Sequence, residues 1–297
     1  MVEQRRGSII IAIEHGMLNV PEILRRLDLS ARAGFERLLC TASSSDALAL
    51  RAYESSNTRV LLAPPGSRIP LLWRDGIVAA QSDKVGLLSA HCIPSQRWLD
   101  AFDQTNVDAQ QPGIGGFFSN ADDSDSVGWA IYLQRYVNFS HPVTAASVEH
   151  IAADNAIYCR SAILSCRDLV PLGFWEPEYH RRFRAAGNRL RLTGALEVMH
   201  YNRYSAPQFM QQRFEHGIEF GLARAERMAT LRTSLLLAAS PLIPLVLCAK
   251  VLNNTFRQRW LARVPWRAFA WLMLFSLAWG AGEARGLAMA LSRGQKK

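Results

Sequence analysis

The chain has 297 residues, 49% of them apolar and 20% charged, so it can bury one large or two modest cores and is not an intrinsically disordered chain. Its formal charge of +9 is unevenly placed: residues 1–222 carry 22 basic and 23 acidic side chains, net −1, whereas residues 223–297 carry 12 and 2, net +10. That basic quarter also holds the two longest uncharged apolar runs, 233–249 and 268–282, which points to a membrane surface and away from nucleic acid.

At the amino end Arg5 and Arg6 precede a short apolar stretch that Glu14 interrupts before it reaches the length of a secretory signal, so residues 8–13 are expected to form a buried strand. A helical spacing follows over 20–29. Further short strands are expected over 37–41, 59–63 and 84–88, with helical segments over 44–54 and 70–80 between them. This alternation predicts an α/β layer with a largely parallel sheet. Residues 110–125 hold Pro112, Gly113, Gly115, Gly116 and the acidic group Asp122, Asp123, Asp125, and read as a solvated loop outside the core. Beyond them the pattern predicts a helix over 127–139, a turn into another strand or helix over 146–156, and a basic helix over 176–186 ended by Gly187. A returning strand or two over 190–199 and a long polar and aromatic helix over 208–227 complete it. There is no internal repeat. Five cysteines (Cys40, Cys92, Cys159, Cys166, Cys248) are scattered without CxxC spacing, as reduced, mostly buried thiols of a cytoplasmic domain would be.

The tail offers two candidate membrane segments, 233–252 and 268–291. The first run has 17 uncharged residues and carries Pro241 and Pro244, so it is a kinked span, a re-entrant hairpin or an interfacial helix. The second reaches spanning length only by including Glu283 and Arg285, an expensive pair at depth unless it faces protein. Between them lie Arg257, Arg259, Arg263 and Arg267 with Trp260 and Trp266, a loop the positive-inside rule would keep on the cytoplasmic side.

Four segments in order carry a resemblance: 7–24 (GSIIIAIEHGMLNVPEIL), 73–99 (WRDGIVAAQSDKVGLLSAHCIPSQRWL), 153–164 (ADNAIYCRSAIL) and 173–190 (GFWEPEYHRRFRAAGNRL). Taken together they resemble the family 2 glycosyltransferases with the GT-A nucleotide-sugar-binding fold, over residues 6–221. The resemblance implies a Rossmann-like α/β domain over 1–222 followed by a basic, membrane-associated helical region over 223–297. It implies a nucleotide-sugar donor, and together with the basic apolar tail it leads to the expectation of a lipid, lipid-linked or polysaccharide acceptor and a catalytic domain held on the cytoplasmic face of an anionic membrane.

Residue by residue, the resemblance places Glu14, Arg74, Asp75, Ser89 and His91 at the donor, and Asn155, Arg160 and Trp175 at the acceptor. Glu176 takes the place of the catalytic base, as an inverting transfer requires a carboxylate within reach of the acceptor hydroxyl. The metal-holding Asp-x-Asp of the family is here Ser89-Ala90-His91. Either His91 and His200 hold Mn2+ or Mg2+ through imidazole, or the site works without metal on cations such as Arg74; His91 is alternatively a hydrogen-bonded histidine at a strand end. Asp75 has the alternative of a helix cap, Asn155 that of a turn residue, and Glu176 and Glu178 that of charges favoured in a first helical turn. Gln211, Gln212, Arg213 and Phe214 are similar to the Gln-x-x-Arg-Trp motif of processive members but are one residue out of register and lack the Trp, so a processive enzyme is not expected. A non-catalytic, nucleotide-sugar-binding protein of the same fold is the alternative.

Overall fold

The computed structural model describes residues 6–15, 17–27, 34–121, 125–140, 146–226, 228–258 and 262–294. Residues 28 and 29 and Arg5, Asp122, Asp123, Arg227, Arg259 and Trp260 fall outside them. The run of isoleucines at the amino end forms β1 (Gly7–Ile13), buried at every position because strands pair both its edges and helices cover both its faces, Gly76 lying against Ile10 and Phe102 against Gly7. After it come α1 (Val20–Arg26), β2 (Phe35–Thr41), α2 (Ser44–Leu50), β3 (Thr58–Leu62), α3 (Ile69–Ala79) and β4 (Lys84–Ser89). The four strands pair in parallel in the order β3-β2-β1-β4, as the alternating pattern predicted.

The next elements are β5 (Cys92–Pro94), α4 (Trp98–Gln104), β6 (Gly113–Asn120), α5 (Ser126–Tyr136), β7 (Ala146–Val148), β8 (Asn155–Cys159), α6 (Arg160–Ser165), α7 (Glu176–Ala185) and β9 (Leu190–His200). Strand β8 runs antiparallel to β4 and to β6, and β9 runs parallel to β6 but antiparallel to β5 and β7. The sheet is therefore mixed where a largely parallel one was expected.

The largest correction concerns residues 110–125. The expected loop contains β6, which lies between β8 and β9 and is mostly buried. Its glycines are there for close packing. A Cβ on Gly113 would come within 2.8 Å of the Tyr158 ring, one on Gly115 within 2.7 Å of Ile151, and one on Gly116 would overlap the Leu196 carbonyl oxygen. Asp125 is also structural: its carboxylate accepts the amides of Val127 and Gly128, both at 2.9 Å, and caps α5.

Residues 1–121 with 139–201 form one compact unit and residues 122–138 with 202–297 a second. The second comprises α5, α8 (Ala206–Ala225), α9 (Thr230–Ala239), α10 (Ile243–Arg257) and α11 (Trp266–Gly294). The boundary expected at 222/223 falls inside α8. A 3-10 turn over Ser240–Leu242, which contains Pro241 and precedes Pro244, joins α9 to α10. Among the described residues, this continuous segment Thr230–Arg257 is the one helix long and apolar enough to cross a membrane.

The second candidate segment falls within α11. Helix α11 packs against α8, and its buried Glu283 takes the Arg224 guanidinium at 2.8 Å, so the charge that weakened the membrane reading faces protein. Gly217 and Gly221 of α8 meet Gly282 and Gly286 of α11 backbone to backbone.

Candidate functional site

Strands β1 to β4 end together. Because β8 is antiparallel to β4, it begins where β4 ends, and β9 ends beside β6 with Asn120 opposite His200. Ligands of open α/β sheets bind beyond such carboxyl ends. This edge gathers Glu14 after β1, Ser89 at the end of β4, His91 in the turn to β5 and His200 at the end of β9. Asn19 seals the turn by donating to the Ala90 carbonyl at 2.8 Å.

Glu176 reaches the same edge from α7. It is the first residue of that helix, behind Trp175 in extended backbone and ahead of Pro177. Its Oε1 accepts the Ala153 amide at 3.1 Å, which fixes the half-buried carboxylate at the entry to β8. The turn before it docks on α3: Phe174 N–H donates to the Pro70 carbonyl at 2.8 Å and Arg74 to the Pro171 carbonyl at 3.1 Å. Gly173 permits this approach, since it has φ +99° and a Cβ there would stand 3.2 Å from the Pro70 backbone. Arg74 also binds Asp75 at 2.6 Å, and the Trp73 indole anchors α3 to the end of β4 through the Leu88 carbonyl at 3.1 Å. The Trp175 indole donates to the Leu172 carbonyl at 3.1 Å.

Two expected acceptor residues offer no free side chain to this edge. Asn155 is fully buried, and its amide is consumed by the core: it accepts from the Trp98 indole at 2.8 Å and donates to the Phe117 and Leu196 carbonyls at 3.0 and 3.1 Å. Arg160 follows the far end of β8, opposite Lys84 and Asp83, and its guanidinium takes the Ile77 and Val78 carbonyls at 2.7 and 2.9 Å, closing the carboxyl end of α3. Asn155→Leu is expected to lower stability by about 3 kcal/mol or more, because it leaves three buried polar groups unmet. Urea unfolding checks this, and a stable variant with weakened acceptor use would restore the binding role.

The structure adds two residues that motif reading passed over. Asp154 is buried immediately before β8, one residue from the amide that holds Glu176. Asn120 ends β6 opposite His200. A carboxylate directly preceding a buried strand was the available signal for the first; the second was hidden in the segment read as loop.

The donor set at the expected metal position departs from the family's Asp-x-Asp. The two positions that would carry carboxylates are Ser89, whose hydroxyl faces the Cys92 thiol at 3.7 Å, and His91. His91 and His200 are buried with ring centroids 6.4 Å apart. Among the described residues no three His, Cys, Asp or Glu side chains converge on a point where an ion would sit. Mn2+ and Mg2+ favour carboxylate-rich oxygen sets, so these residues do not fit either ion, and no step is assigned to one.

Behind Glu176, the Tyr158 hydroxyl lies 2.9 Å from Nε2 of His180, one helical turn along α7. Burial, helped by the nearby charges of His150 and Arg184, pushes the His180 imidazolium down to about 3, and burial pushes the Tyr158 hydroxyl up. An unfolded histidine titrates near 6.5, so above that pH neither state is protonated and nothing is lost. Below it the unfolded chain alone takes the proton, and stability falls as pH drops toward 3, by at most about 1.4 kcal/mol per pH unit. We expect unfolding midpoints to drop by the equivalent of about 1–2 kcal/mol more between pH 7 and 5 in the parent than in His180→Phe; equal slopes would contradict it.

No protein-family model and no curated protein sequence matches the chain. Solved structures do. A mannosyltransferase from Pyrobaculum calidifontis, in complex with GDP-Man and Mn2+, superposes with TM-score 0.54 at 12% identity, over 95% of this chain and 88% of that one. A mycobacterial protein (TM-score 0.48, 11% identity, 72% and 73% covered) and GalNAc-T7 with UDP, GalNAc and Mn2+ (0.47, 12%, 67% and 43%) are more distant. The chain therefore has the GT-A glycosyltransferase fold.

Proposed function

We propose that this GT-A chain is a membrane-associated, inverting glycosyltransferase that moves a hexosyl group from a nucleotide-sugar donor to a lipid or lipid-linked acceptor at the cytoplasmic face. The observation that carries the reading is the Glu176 carboxylate, pinned by the Ala153 amide at the carboxyl edge of the sheet. In the reaction the acceptor oxygen forms the new bond to the anomeric carbon while the bond from that carbon to the diphosphate oxygen breaks. The acceptor proton passes to Glu176, and the nucleoside diphosphate leaves from the opposite face. With Ser89 and His91 in place of the two Asp-x-Asp carboxylates, the leaving charge is assigned to side-chain cations, Arg74 first, held in place by Asp75 and the Pro171 carbonyl.

This reading makes donor binding indifferent to divalent metal. Calorimetry with UDP and GDP, in EDTA and then in manganese, is expected to give affinities within about threefold of each other. A drop of about tenfold or more in EDTA would show that a metal is held after all. A second reading, a nucleotide-sugar-binding protein without turnover, is favoured by the same replacement of Asp-x-Asp by Ser89-Ala90-His91, and a donor-hydrolysis assay separates the two.

A further inference from the structure

Helices α9 and α10 are inverted in polarity. The stripe they turn inward is Thr233, Pro244, Cys248 and Thr255, all buried, whereas Leu231, Leu235, Leu242, Leu245, Val246 and Phe256 are each 57–74% exposed. No charged residue lies between Arg232 and Lys250. An apolar face of this extent marks a contact surface, and its charge says with what. From Met228 to the end of the chain there are ten basic residues and one acid, Glu283, which is buried against Arg224. Arg232, Lys250, Arg257, Arg263 and Arg267 are exposed, and the complement of an apolar face with so basic a flank is an anionic phospholipid leaflet.

The packing of the same unit decides how the face meets the lipid. Helix α11 runs antiparallel to α10, with Ser276 Oγ 3.4 Å from Cys248 Sγ and Gly280 against Pro244. It runs parallel to α8, with Gly282 against Phe214 and Gly286 against Ile218. The middle of the apolar run, near Pro241, is thus level with residues 214–219 of α8, which include Glu215 and Glu219, and with the exposed Arg285 of α11. If α9–α10 crossed a bilayer, those charges and the Arg224–Glu283 pair would be carried to hydrocarbon depth, where ionised side chains are strongly disfavoured. We infer that α9 and α10 lie in the plane of a single anionic leaflet, with Leu235, Leu242, Leu245 and Val246 immersed and α8 left in water, although Thr230–Arg257 has the length to span. The inference rests on the membrane placement proposed above but not on sugar transfer.

The test uses the full chain in a Cys166→Ser background, since the other four cysteines are buried. In native membrane vesicles of known sidedness, Arg232→Cys and Asn253→Cys, at the two ends of the apolar run, are expected to react with a membrane-impermeant maleimide from the same side. Reaction from opposite sides would show a span and overturn the in-plane arrangement alone. In parallel, purified protein added to preformed vesicles is expected to float with phosphatidylglycerol-containing vesicles and about tenfold less with phosphatidylcholine alone. Leu245→Asp should reduce flotation by a similar factor at unchanged thermal stability. Failure to float with anionic vesicles would overturn the membrane placement itself.

Discussion

Glu176→Gln is expected to fold as the parent does, bind nucleoside diphosphate with unchanged affinity, and lose turnover by about 10²- to 10⁴-fold. The amide oxygen of glutamine can still accept the Ala153 N–H at the mouth of β8, so that structural contact survives. What disappears is the ability to take a proton. The loss should fall on kcat with the donor KM unmoved, because the carboxylate acts on the acceptor hydroxyl and not on the nucleotide. The alternative, a charge that only stabilises the amino end of α7, predicts a small stability loss of about 0.3–1 kcal/mol and little change in rate. Steady-state kinetics and a melting curve on the same preparation distinguish the two.

The second large effect is on stability. Gly282→Leu should destabilise the helical unit by about 3 kcal/mol or more. A Cβ at Gly282 would overlap the Phe214 carbonyl oxygen, one at Gly286 the Ile218 oxygen, and one at Gly217 the Trp279 oxygen, so α8 and α11 touch along their backbones with no room for a methyl group. Forcing them apart also pulls Glu283 from Arg224 and leaves a buried carboxylate without its partner. Ala223→Leu, on the exposed side of α8, is the control and should change stability by less than about 0.5 kcal/mol. Equal effects from the two substitutions would mean that the glycine contact is dispensable.

The parallel half of the sheet was legible because its strands are compact runs bounded by helical spacing, and β1 to β4 appear within one or two residues of the expected positions. Strand β6 was not, because the same glycines signal flexibility in a loop and close approach in a sheet; only the neighbours Tyr158, Ile151 and Leu196 reveal which. The same limit governs the site. Order along the chain brought Glu14, Ser89, His91, His200 and Glu176 to one edge, but motif position cannot tell whether an amide is available. Asn155 is consumed by three core partners, and Arg160 stands at the far end of its strand. In the tail, the pairs Gly217/Gly221 and Gly282/Gly286 are separated by 60 or more residues, so their partnership is a fact of packing that no local pattern carries.

Release of nucleoside diphosphate is the most direct measure of sugar transfer. Detergent-purified full-length protein, incubated with a panel of UDP- and GDP-sugars and a lipid extract in EDTA, should release diphosphate from at least one donor in a lipid-dependent manner, and Glu176→Gln should abolish that release. Tight binding of the donors with no release above the Glu176→Gln background, across the whole panel and with manganese restored, would contradict the enzyme and leave a binding protein of the same fold.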